Sequence, residues 1–258
     1  MRLLNLIFVL MMVYACQSGQ KPDNQSMSVE SPYEPTYDLN FLLGHFDPSD
    51  HPDFVEIQPK HSSRKGMYMQ GKAYESFREM YEAAHKEGVE LTIISAARNF
   101  DYQKSIWEKK WFGKTTLSSG INASSIDSLS DRAKVIMKFS AMPGASRHHW
   151  GTDIDINSLS NTYFEKGQGK IEFEWLNENA RKFGYCRPYT SKSAGRTGYE
   201  EEKWHWSYLP LSAVMTRDME LLFRDSMLRD FAGSQVAEKL RIKSEYILGI
   251  DSSCLEEI

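Results

Sequence analysis

The segment Ser146-Arg147-His148-His149-Trp150-Gly151-Thr152-Asp153-Ile154-Asp155 sets a histidine and a carboxylate seven residues apart, with a glycine between them. Further along, Glu202-Lys203-Trp204-His205-Trp206 adds a second imidazole and a spare Glu. Two imidazoles and one carboxylate suit Zn²⁺, which lies at the borderline between hard and soft cations. Three protein ligands, an open position for water and a nearby general base make a catalytic rather than a structural zinc site. The chemistry these groups offer is hydrolysis. On this reading His148, Asp155 and His205 hold the metal and Glu202 is the base; Glu200 and Glu201 compete with it on chemistry alone. The bland alternative is a polar strand edge with chance histidines. His45, His51, His61 and His85 have no ligand-like company and are read as structural. His149 is assigned to packing or to supporting a ligand from behind, because neighbouring strand residues face opposite ways.

The elements that must position these groups follow from periodicity. Thr152 to Asn157 alternates, with Ile154 and Ile156 on one side and Asp153, Asp155 and Asn157 on the other. That is a strand with one apolar and one polar face, where a site can sit. Trp204, Trp206 and Tyr208 alternate with His205 and Ser207 as a second such strand. Glu202 precedes His205 by three, so it belongs at the strand entry, where it can turn toward bound water. Upstream, Lys72 to Lys86 carries Ala73, Phe77, Met80, Tyr81 and Ala84 on one helical face, closed by Gly88. Val89 to Ile94 is a β-branched run and reads as a strand. Asp101 to Phe112 reads as a helix with Asp101 as N-cap. Gly113 to Leu129 is a long polar loop of the kind that is often functional. Helices are expected at Arg132–Phe139 and Phe173–Phe183, and the chain from Leu209 onward is expected to be mainly helical. No internal repeat is visible.

Taken together, these segments resemble the VanY-like D-alanyl-D-alanine carboxypeptidases, part of a wider group with lysostaphin-type enzymes and the hedgehog signalling domain. Ser146 to Asp155 resembles that family's Ser-x-His-x-x-Gly-x-x-x-Asp motif, and Glu202 to His205 its Glu-x-x-His signature, Trp included. Ser95-Ala96-Ala97-Arg98, with Gln103, resembles an upstream Ser-x-x-Arg…Gln segment, and Gly184-Tyr185-Cys186-Arg187-Pro188 a Gly-Phe-x-x-Arg-Tyr-Pro element. The resemblance runs from about Tyr68 to Tyr208. It implies an α+β fold, a small antiparallel sheet carrying the zinc site with helices packed around it. It implies ligands His148, Asp155 and His205, base Glu202, and substrate contacts from Arg98, Gln103 and Ser146. Arg98 also has a physical case of its own, since a guanidinium captures a terminal carboxylate bidentately. Asp153 departs from the pattern, standing where a small residue is expected; it either orients a ligand histidine, caps a turn, or competes as a ligand. The activity implied is zinc-dependent trimming of peptidoglycan stem peptides at D-Ala-D-Ala. L,D-carboxypeptidase, D,D-dipeptidase and endopeptidase action remain open, as does a non-catalytic zinc-containing domain that binds peptidoglycan or a partner.

The amino terminus bears on location. Arg2 precedes an apolar run from Leu3 to Tyr14, broken only by Asn5, too short for the roughly 20 residues a spanning helix needs. Residues 1–15 read as a signal peptide of the lipoprotein type, with lipidation at Cys16 and residues 16–36 as a flexible tether. The alternative is an ordinary secretory signal with an incidental cysteine. Residues 37–258 are expected to form the catalytic domain, with an extension from about Leu209 whose role the motifs leave open. Loss of residues 1–15 takes the formal charge from -4 (31 − 35) to -5 (30 − 35). A mildly acidic chain without a basic run has no footprint for nucleic acid. The expected partners are stem peptides and, through the lipid, a membrane. Cys186 and Cys254 then remain as an even pair in an oxidising compartment. They form either a disulfide or two free thiols, since sequence does not place their Cα atoms.

Overall fold

The computed structural model describes residues 33–255; the signal, the tether up to residue 32 and the lipidation call at Cys16 lie outside the described residues. The chain runs through α1 (Leu39–Leu42), β1 (Phe54–Glu56), β2 (Tyr68–Gln70), α2 (Gly71–Lys86), β3 (Ile93–Ser95), α3 (Phe100–Trp111) and α4 (Leu129–Ile136). There follow β4 (Asp153–Ile156), α5 (Gly167–Asn179), β5 (Tyr185–Cys186), β6 (His205–Tyr208), α6 (Leu209–Leu222) and α7 (Ala237–Leu240). β1 and β2 form an antiparallel pair; the other four strands form an antiparallel sheet in the order β3-β4-β6-β5. The architecture is α+β, as expected.

Burial sets the sheet's orientation. Ile154, Ile156 and Trp206 are buried with Phe77, Met80 and Ala84 of α2, joined by Leu91, Ile93, Trp175 and Leu176. Each isoleucine, leucine, methionine or phenylalanine among them contributes roughly 1.5–3 kcal/mol by leaving water. A one-residue slip of β4 would turn its isoleucines away from this core, so the apolar set fixes the face that Asp153 and Asp155 occupy. A second core gathers Trp107 and Trp111 of α3 with Trp150, Met215 and Phe231.

Several boundaries differ from the periodicity reading. β3 starts at Ile93 rather than Val89, because Val89 N–H closes α2 on Ala84 O and the Asn157 side chain takes Thr92 N–H and Glu90 O. α3 is capped by Asn99, whose Oδ1 accepts from Tyr102 N–H, and not by Asp101. Ser128 caps α4, which therefore begins at Leu129 and ends before Phe139. α5 begins at Gly167 and tightens into a 3₁₀ turn, Ala180–Phe183, that Gly184 ends at φ 74°. Past α6 the extension stays largely helical but in short pieces, 3₁₀ turns at Asp225–Met227, Ser234–Val236 and Ser252–Cys254 around α7 and a π-helical segment, Lys243–Ile247. It is held to the body by apolar contacts and by a disulfide between Cys186 and Cys254, whose Cα atoms are 5.6 Å apart.

His148 and His149 lie on a 3₁₀ turn, Arg147–Trp150, and not on a strand. Gly151 reverses the chain into β4 at φ 70°. A β-carbon there would meet Phe54 Cε1 at 2.3 Å, so the motif glycine is required by conformation and by space.

Candidate active site

Sheet register builds the site. Asp155 of β4 pairs with His205 of β6 on one side and with Ser95 of β3 on the other. Directly opposed residues put their side chains on one face, so these three form a row across the sheet. The 3₁₀ turn delivers His148 to the same place through Arg98 N–H, which donates to His148 O at 3.0 Å. Asp155 Oδ1 is 3.1 Å from His205 Nδ1, and its Oδ2 is 3.4 Å from His148 Nε2. Among the described residues, His148, Asp155 and His205 offer ligand atoms that all lie within 4.8 Å of one another, and all three are buried.

Hydrogen bonds fix which imidazole nitrogen faces this centre. His148 Nδ1 is 2.9 Å from Ala96 O. A carbonyl only accepts, so Nδ1 carries the proton and Nε2 presents its lone pair. His205 Nε2 is 2.8 Å from Asp153 Oδ2, so the proton sits there and Nδ1 is turned inward. A donor set of two lone-pair nitrogens and one carboxylate, each imidazole oriented from behind, fits a zinc ion. Asp153 and Asp155 both draw the proton onto His205. Burial alone would lower its pKa, but in the metal-free chain the two carboxylates outweigh that and hold it up at about 9, so an entering cation takes the place of the proton on Nδ1. For Asp155, burial works against the charge, yet His148 and His205 hold the carboxyl well below its usual range.

Asp153 stands behind His205, on the ring nitrogen opposite the one near Asp155, and is fully buried. It accepts from Arg147 Nε (2.9 Å), Ser207 Oγ (2.7 Å) and Thr152 Oγ1 (2.8 Å) besides His205. Arg147, also buried, spends its other nitrogens on Thr216 Oγ1 and Ser207 Oγ and lies over the Trp150 ring at 4.6 Å. This pair was not read from the sequence. The available signal was two aspartates on one strand face, a buried charge excess that needs a cation, with Arg147 the nearest one.

Glu202 sits in the turn before β6, its N–H on Tyr189 O at 2.9 Å and its Oε2 3.4 Å from His205 Nδ1. Burial pushes its carboxyl up to about 7, with His205 pulling the other way, which suits a group that must both take and give a proton near neutrality. Glu200 and Glu201 are instead paired with Lys192 and Arg187. A cavity of about 750 Å³ opens onto the cluster and is lined by Arg98, Gln103, Ser146 and Glu202, with Thr115–Ser119 of the polar loop at one side. Arg98 Nε donates to Gln103 Oε1 at 2.9 Å and Nη1 to Ser95 Oγ at 2.6 Å. Gln103 Nε2 donates to Ala141 O at 2.8 Å, so both ends of its amide are committed to protein and it holds Arg98 in place. His149 Nδ1–H donates to Arg98 O and its Nε2 accepts from Gly144 N–H, which keeps the ring neutral and outside the cluster.

Residues 66–211 match the VanY family of D-alanyl-D-alanine carboxypeptidases. The chain belongs to that family. Among curated relatives of this VanY-family chain is YodJ of Bacillus subtilis, named as a carboxypeptidase, 30% identical over 199 residues, covering 76% of this chain and 63% of YodJ. A D-alanyl-D-alanine carboxypeptidase of Enterococcus faecalis is 28% identical over 138 residues, covering 53% of this chain and 46% of the relative. The chain thus spans less than two thirds of either relative's length. Similar solved structures include the LdcB LD-carboxypeptidase (26% identity, TM-score 0.48, 67% and 75% of the two chains). VanYB in complex with D-Ala-D-Ala is 22% identical with TM-score 0.46, covering 69% and 90%.

Proposed function

We propose that this VanY-family chain is a zinc-dependent D-alanyl-D-alanine carboxypeptidase that removes the terminal D-alanine from peptidoglycan stem peptides. The observation that carries it is the convergence, in one cavity, of the His148, Asp155 and His205 cluster with Glu202 on one side and Arg98 on another. His148, Asp155 and His205 would hold the ion; when bound, it polarises the scissile carbonyl and acidifies water. Glu202 takes the proton of the attacking water and returns it to the leaving amine nitrogen. Arg98 receives the substrate's terminal carboxylate, and Ser146, on the cavity wall, contacts the peptide. Gln103 serves by positioning Arg98. Asp153 keeps His205 in the tautomer whose Nδ1 faces the metal. We also propose export, with a lipid at Cys16 tethering the domain close to its polymeric substrate.

The test is digestion of defined pentapeptide and tetrapeptide muropeptides, with and without chelator, read by mass. Loss of one terminal D-alanine from the pentapeptide, abolished by chelator and restored by Zn²⁺, is the expected result. Cleavage of the tetrapeptide alone would make the enzyme an L,D-carboxypeptidase. Chelator-insensitive cleavage would refute the zinc assignment, and no cleavage of either would favour a binding domain.

A further inference from the structure

Arg98 meets a carboxylate with only part of its guanidinium. Its Nε–H is engaged by Gln103 and one Nη1–H by Ser95, with Asp155 Oδ2 3.8 Å from Nη1. The edge through Nε is therefore closed, and the Nη1/Nη2 edge that is left lies beside the Asp155 carboxylate, which offsets part of the arginine's charge. The same cavity wall carries a second cation. Lys110 lies seven residues beyond Gln103 on α3, two turns along the same helix face, and both line the cavity with Arg98. One Nζ–H donates to Ser140 Oγ and holds the ammonium in place; among the described residues Lys110 has no ion-pair partner. Burial lowers the Lys110 pKa and the Arg98 charge lowers it further, against the pull of Glu202. An anion bound in the cavity near both cations would offset both effects.

We infer that Lys110 is a specificity-determining residue that shares with Arg98 the free C-terminal carboxylate of the peptide, an inference that rests on the reading of Arg98 as its receptor. It makes the preference for a chain end, over an internal bond or an amidated end, a property of two cations.

The experiment uses the full chain and one pentapeptide in two forms, terminal acid and terminal amide. It measures cleavage, and binding to the cleavage-blocked Glu202→Gln chain. The expected wild-type preference for the acid should fall about tenfold or more in Lys110→Gln, through KM and binding rather than kcat, with the amide little changed. Lys110→Arg should restore most of it. A structural role would lower acid and amide equally and overturn the inference, as would an unchanged acid preference. Lys110→Met is the second variant should Lys110→Gln fail to fold. A Lys110-dependent acid preference in binding without cleavage would uphold the inference and sink the proposed activity. Cleavage of the acid with a Lys110-independent preference would do the reverse, and no preference for the acid by the wild-type chain would remove both.

Discussion

Replacing Asp153 with Asn should separate what the buried carboxylate does for the fold from what it does for the metal. Its four donors divide by chemistry. Arg147 Nε–H and His205 Nε2–H meet Oδ2 and can only donate, while the Ser207 and Thr152 hydroxyls meet Oδ1 and can turn to accept. An Asn amide therefore fits, oxygen toward the arginine and histidine, nitrogen toward the hydroxyls. Geometry survives and only the charge is lost. Arg147, 2% exposed, is then a buried cation without its counter-ion, a situation that costs about 3–5 kcal/mol. His205 loses a carboxylate behind it, a change that weakens metal binding roughly 10- to 100-fold. Denaturant unfolding of the metal-free chain should show the first loss and competitive zinc titration the second. Adding Arg147→Met to Asp153→Asn removes the stranded charge, so stability should largely return while zinc affinity stays low. If Asp153→Asn lowers stability by less than about 1 kcal/mol, the charge-pair argument fails. If the double variant regains normal zinc affinity, Asp153 does not act through His205.

Glu202→Gln should lower kcat about 10²- to 10⁴-fold while zinc content by elemental analysis is unchanged; near-normal turnover would remove Glu202 from the mechanism. The Cys186–Cys254 bond closes a span of 68 residues, so Cys254→Ser should cost about 4 kcal/mol in unfolding experiments by the chain-entropy relation, and a cost below 1 kcal/mol would refute that account. Burial lowers the His149 pKa from 6.5 to about 3. A depressed folded pKa means that its stability is complete above pH 6.5 and is lost as pH falls toward 3, at about 1.4 kcal/mol per pH unit. His149→Asn should remove about one proton's worth of that slope in metal-free chevron or melting data; an identical slope would show that the ring is not held neutral.

Much of the site was legible because the chemistry is concentrated in a few short segments. The alternation of Ile154 and Ile156 with Asp153 and Asp155 was enough to predict a strand and its two faces. It was not enough for the 3₁₀ turn at Arg147–Trp150, since four residues ending in a left-handed glycine have no period to detect. The exclusion of His149 from the metal cluster stands, but for another reason: it is held by Arg98 O and Gly144 N–H, not by strand alternation. Apolar periodicity misplaces a helix start where the capping side chain lies outside the apolar pattern, as with Asn99 and Ser128.

By itself the sequence determined the kinds of groups present, the faces of individual strands and, through several ordered motifs, the family. Tertiary structure decided which groups meet. Asp155 stands opposite both His205 and Ser95 because apolar residues far apart in the chain share one core and lock the register. The pairing of Arg147 with Asp153, the commitment of Gln103 to Arg98, the entry of Lys110 into the cavity and the joining of Cys186 to Cys254 are all consequences of that packing. Local periodicity records which side of an element a residue is on. It carries no information about what another element, folded against that side, will place there.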